Sequence, residues 1–114
     1  MGSRAAVVFV DGDKTSPGIY LHWDGHQVQG LLEEALPRLR RGDVGYSAAR
    51  FCGVCHERIS GNLSLGLIAP PSRDDSDVFN HGVFYVNVRT WEVEACRGNS
   101  IIRFQLDKSK VPEG

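Results

Sequence analysis

The segment Val83–Leu106, VFYVNVRTWEVEACRGNSIIRFQL, decides the fold class. Its three runs, VFYVNV (83–88), WEVEAC (91–96) and IIRFQL (101–106), are rich in β-branched and aromatic residues. Short turn sequences separate them, first Arg89-Thr90 and then Arg97-Gly98-Asn99-Ser100. This pattern predicts three consecutive strands in a meander. In the middle run Trp91, Val93 and Ala95 alternate with Glu92 and Glu94, so one sheet face is apolar and the other meets water.

Upstream, Pro70–Gly82 (PPSRDDSDVFNHG) reads as a long polar and acidic loop, a length that in small domains usually marks function or disorder. LSLGLIA (63–69) before it alternates as a strand, with Leu63, Leu65 and Leu67 on one face. Asp43 is placed to cap a helix over Val44–Ile59, which Ser60-Gly61-Asn62 stops. The apolar stripe of that helix is Ala48, Phe51, Cys52, Cys55 and Ile59, with Arg50, Glu57 and Arg58 opposite. An earlier helix follows Asp24, where Asp24 and Gln27 form a capping-box pattern. Val28, Leu31, Leu32, Ala35, Leu36 and Leu39 make its stripe, and Pro37 should kink or end the regular helix near Ala35–Leu36. Arg38, Arg40 and Arg41 then suit the negative end of the helix dipole.

The chain opens on a buried strand, Ala5–Val10, which pairs with Ile19–Trp23 as a hairpin. The order β-β-α-α-β-β-β-β predicts an α+β fold, a largely antiparallel sheet with two helices packed on one face. Residues 1–106 form a single domain on this reading, and 107–114 (DKSKVPEG) a frayed, flexible tail.

A formal net charge of -1 supplies no basic field for nucleic-acid binding, and no apolar run is long enough to span a membrane. The apolar start meets Asp11 too soon for a signal peptide, and the three cysteines are an odd number, so a reducing cytoplasm is expected.

Cys52, Cys55 and His56 in RFCGVCHERI (50–59) spell C-x-x-C-H, the pattern of covalent haem attachment. Haem lacks support here, because attachment belongs to exported proteins and Met1 is the only methionine. Zinc is the stronger alternative: His22, His26, Cys52 and Cys55 would complete a tetrahedral set. A redox dithiol would want the helix N-terminus, whereas this pair lies in the second half of its helix. The simplest reading is burial, since both thiols fall on the apolar stripe. No cofactor is therefore expected.

In YLHWDGHQ (20–27), His22 or His26 with Asp24 suggests an acid/base dyad. No nucleophile motif, phosphate loop or carboxylate cluster accompanies it, so the chain is not expected to be an enzyme. In the plainer reading Trp23 anchors the core and Asp24 caps the helix. If the protein works by binding, the acidic loop with Arg73, Asp74, Asp75 and Asp77 is a candidate surface. The polar sheet face with Tyr85, Asn87, Arg89, Glu92 and Glu94 is the other.

MGSRA, GIYLHWDG, GYSAARFCGVCHERISGNLSLGL and GVFYVNV–WEVEA together resemble small proteins carried by bacteriophages, plasmids and integrated elements. These share a Met-Gly-x-Arg-Ala start and a Tyr-x-His-Trp-x-Gly core. The resemblance spans most of the chain through short motifs and supplies a genomic setting. It implies a protein that binds and inhibits a host protein complex, as anti-CRISPR proteins do. The alternative is a zinc-binding or hydrolytic protein using His22, Asp24, His26, Cys52 and Cys55.

Overall fold

The computed structural model describes residues 2–61 and 63–113; Asn62 of the expected helix stop lies outside them, as does the last residue of the tail. Its elements are β1 (Ala5–Asp11), β2 (Lys14–Thr15), β3 (Gly18–Leu21), α1 (Val28–Ala35), α2 (Val44–Arg58), β4 (Leu65–Ile68), β5 (Val83–Asn87), β6 (Glu92–Arg97) and β7 (Ser100–Gln105). The fold is α+β, with the sheet ordered β4-β3-β1-β5-β6-β7 and short β2 paired to the end of β1. All neighbours are antiparallel except β1 and β5, which run parallel.

The unbroken apolar run of β1 explains its central place, because both faces of this strand are covered. Ala5, Val7 and Phe9 join the core beneath the helices, where Phe9 meets the Phe51 ring edge-on at 5.8 Å. Ala6 and Val8 point to the other face and are as fully buried. What covers them is the connection between β4 and β5. Since β4 and β5 run the same way on opposite sides of β3 and β1, a tight hairpin cannot join them and the chain must cross the sheet. It crosses the outer face, carrying a 3-10 turn over Arg73–Val78 and burying Phe79 against Ala6, Val8 and Val83. The acidic stretch expected as an open loop is thus the roof of a second, smaller core.

The helix layer follows the sequence closely. A 3-10 turn over Gly25–Gln27 leads into α1, and Pro37 sits in a second 3-10 turn, Leu36–Arg38, that ends the regular helix. Gly25 is required by close approach: its N–H donates to Ser3 O at 2.7 Å, and a Cβ there would lie 2.5 Å from that oxygen. Asp43 caps α2 as expected, its Oδ1 accepting from Tyr46 N at 2.9 Å. Two ion pairs, Arg38–Glu57 and Arg58–Glu34, tie α2 to α1 and the turn after it, which gives Arg38 a structural task.

Three expectations need correction. Trp23 does not anchor the core: it is 49% exposed, and Trp91 is the buried indole. Asp24 makes no side-chain cap to the helix backbone; its carboxylate accepts instead from Gln27 Nε2 at 3.0 Å, because a 3-10 turn intervenes before α1. The tail is not frayed through Val111, which is 3% exposed and packed into the main core behind a short 3-10 turn, Lys108–Lys110.

Candidate functional site

The outer face brings six of the nine sequence-predicted binding residues together. Tyr85 on β5 and Glu94 on β6 are directly opposed across the sheet, and Arg103 on β7 follows in the same row. The crossing connection is fastened onto this row. Tyr85 Oη donates to Pro71 O at 2.7 Å, Arg73 pairs with Glu94, and the Arg73 guanidinium lies 5.1 Å from the centre of the Tyr85 ring. Arg103 holds the other oxygen of Glu94 at 3.1 Å, so one half-buried carboxylate is clamped by two arginines. Further along, Ser76 Oγ reaches Gly98 O at 3.4 Å, and Ser72 Oγ donates to Asp75 Oδ2 at 3.0 Å. The Tyr85 phenol is pushed above its usual range, first by burial and then by Cys96.

These fastenings leave Asp74, Asp75 and Asp77 exposed on a short, anchored turn. A shallow groove beside them is lined by Arg73, Asp74, Asp77, Gly98 and Asn99. Conformational entropy is already lost in such an arm before any partner arrives.

The other three predicted residues lie elsewhere. Asn87 serves the β5–β6 turn, its Oδ1 accepting from Arg89 N at 2.8 Å and Thr90 N at 2.9 Å. Arg89 turns to β1, where it makes a two-pronged pair with Asp11. Its guanidinium holds the Asp11 carboxyl below the usual carboxylate range, chiefly by that hydrogen bond. Glu92 is exposed at the start of β6, beyond the arm.

Arg103 is the member that sequence reasoning missed. The signal was present: counting outward from the Gly98-Asn99 turn puts Ser100 opposite Arg97 and Arg103 opposite Glu94.

The proposed His–Cys cluster is not assembled. His22 follows Tyr20 to the outer side, where Tyr20 Oη and His22 Nδ1 are 2.6 Å apart. His26 Nδ1 lies 3.0 Å from Ser3 Oγ, while Cys52 and Cys55 sit in the helix layer. Among the described residues no group of three or more His, Cys, Asp or Glu side chains is placed to hold a metal ion. The physical reason is that α2 turns Cys55 into the core it shares with Phe9, whereas His22 lies with Tyr20 on the outer side. Cys55 is fully buried and its thiol is pushed up to about 12, by burial first and then by Cys52 and Asp24. Burial likewise raises Cys52, so neither thiol is primed as a nucleophile, and His56 beside them points to solvent.

A second concavity, about 320 Å³, opens where β5–β7 extend past the helices. Phe84, Ala95, Ile102 and Phe104 line it with apolar surface, and Gln29, His81 and Arg97 add polar groups.

The chain matches no protein-family model, no curated protein and no solved structure. Among the described residues no helix is long and apolar enough to cross a membrane.

Proposed function

We propose that this chain is a binding protein of a mobile genetic element, acting without catalysis by docking its acidic arm on a basic surface of a host protein complex. Inhibition of a host defence system, in the manner of an anti-CRISPR protein, is the activity that best fits this mode. The observation that supports the reading is the fastening of the segment from Pro71 to Val78 to Tyr85, Glu94 and Gly98, which holds Asp74, Asp75 and Asp77 outward on an anchored base. Preorganised like charge favours fast, selective association with an oppositely charged patch more than it favours folding.

The test is plasmid transformation of bacteria carrying an active CRISPR system that targets the plasmid. Expression of the wild-type chain restores transformation, and a variant with Asp74, Asp75 and Asp77 all changed to Asn does not. Equal loss of transformation with and without the wild-type chain, across the CRISPR types tried, contradicts the anti-CRISPR reading.

A further inference from the structure

We propose that two copies of this chain pair edge to edge through β7, antiparallel, about a two-fold axis at Ile102.

Leu106 N donates to Trp91 O at 3.0 Å, which marks residues 91 and 106 as a hydrogen-bonded pair of the antiparallel ladder. Alternation then makes 93–104, 95–102 and 97–100 bonded pairs as well, and the two-residue Gly98-Asn99 turn, with Gly98 at φ 58°, requires the last of these. Ile101, Arg103 and Gln105 therefore aim their N–H and C=O groups at the open edge. The Gln105 amide does not cover that edge, because it donates to Thr90 O and Leu106 O.

Arg103, already held by Glu94, is the one charge on this edge, and the other usual protections are missing. β7 has six residues with no proline and no lysine, and its pairing with β6 runs without a bulge. The opposite edge differs: β4 has four residues and runs within two positions of Pro70-Pro71. On β7, Ile101 is 46% exposed on the outer side and Ile102 is 65% exposed on the helix side. A strand laid here meets apolar surface on both faces.

Register selects a second copy as the strand that fits. A two-fold pairing must oppose outward-facing residues, so its axis can fall at any residue from 101 to 105; at Ile101 it pairs only residues 100–102 and at Gln105 it leaves both isoleucines uncovered, which leaves 102, 103 or 104. An axis at Arg103 sets two arginines face to face, which is unfavourable. An axis at Phe104 leaves Ile101 beyond the paired segment. An axis at Ile102 sets Ile102 against the partner's Ile102 and Ile101 beside the stem of the partner's Arg103. The partner's Phe104 then meets Ser100, at the mouth of the apolar concavity formed by Arg97, Ser100 and Ile102. One register thus covers the exposed isoleucines and sets the partner's half-buried Phe104 beside Ser100 at the rim of the recess. The contact is small beside a standard interface of about 800 Å² per partner, so the dimer is reversible and concentration-dependent.

Sedimentation velocity across a concentration series reaching the millimolar range tests this directly. The wild-type chain shifts from monomer to dimer. Ile102→Lys weakens the dissociation constant at least about tenfold while keeping the monomer's circular dichroism. Ile101→Pro does the same by removing an outward N–H that the monomer does not use, and it serves if the lysine variant folds poorly. A wild-type chain that stays monomeric throughout overturns the proposal, as does a dimer undiminished in both variants. Neither outcome touches the acidic arm, which lies on the crossing connection.

Discussion

Tyr85 donates its phenolic hydrogen to the carbonyl oxygen of Pro71 at 2.7 Å, joining the middle of the sheet to the chain that crosses it. The bond is local in space and distant in sequence. It holds the segment that carries the exposed aspartates against β5, under the Arg73 guanidinium.

Tyr85→Phe keeps the ring beneath Arg73 and deletes the donor to Pro71. The expected cost is about 0.5–1.5 kcal/mol in urea unfolding, the usual net value of one hydrogen bond. Limited proteolysis should also cut faster within residues 70–82. Unchanged cleavage would show that the arm is held by Phe79 packing alone.

Cys55→Ser puts a hydroxyl into an apolar site and should lower stability by about 1–3 kcal/mol. Metal content and visible absorbance should be the same as in the wild type. The thiol itself makes the fold base-sensitive. Its pKa is raised in the native state to about 12 from an ordinary 9.0, so its contribution is complete below pH 9 and falls as pH rises toward 12. Cys55→Ala should flatten that alkaline decline in unfolding experiments across pH. An undiminished decline would assign it to other groups.

At acid pH the sign reverses. Asp11 is depressed by its hydrogen bond to Arg89, and Glu57 by its hydrogen bond to Arg38. Each contribution is present above the ordinary carboxylate range and is lost as pH falls through the lowered native value. Asp11→Asn should therefore reduce the acid-side slope of stability, and at neutral to alkaline pH it should lower the curve without changing its slope. Wild-type and variant curves that stay parallel at low pH would contradict this.

Trp91 is buried at a positive φ of 63°, and its Nε1 has no hydrogen-bond partner. Trp91→Phe removes that orphan donor, offsetting part of the lost packing, and should cost less than half of what Phe51→Ala costs. Phe51 fills the centre of the helix–sheet core, where truncation to Ala costs about 3–5 kcal/mol. Emission of the Trp91→Phe protein then comes from Trp23 alone and should be red-shifted and readily quenched by acrylamide. A blue-shifted spectrum would place Trp23 inside.

Much of this was legible because it is local. Pro37, the Asp43 cap and the alternation of Val93 with Glu94 each act within a turn or a strand. The burial of Cys55 followed from helical spacing alone. The second core was not legible, since Ala6 and Val8 say only that both faces of β1 are covered, and nothing local identifies Phe79 as the cover. Trp23 misled because an aromatic at a strand end can point either way, and here the 3-10 turn after Asp24 leaves it outside. Within the candidate site, the residue types were visible while their grouping was not. Arg73 and Glu94 are separated by β5 and a turn, and only the crossing path brings them together. Asn87 and Arg89 share the alternation of Tyr85, yet they serve the turn and the Asp11 pair.

The most direct test of the acidic arm is the affinity of a partner complex for the wild-type chain and for the Asp74→Asn, Asp75→Asn, Asp77→Asn variant, measured at low and high salt. Wild-type binding should weaken steeply with salt, and the variant should bind far more weakly, with little salt dependence, at unchanged thermal stability. Equal affinity and equal salt dependence in the two proteins would contradict this.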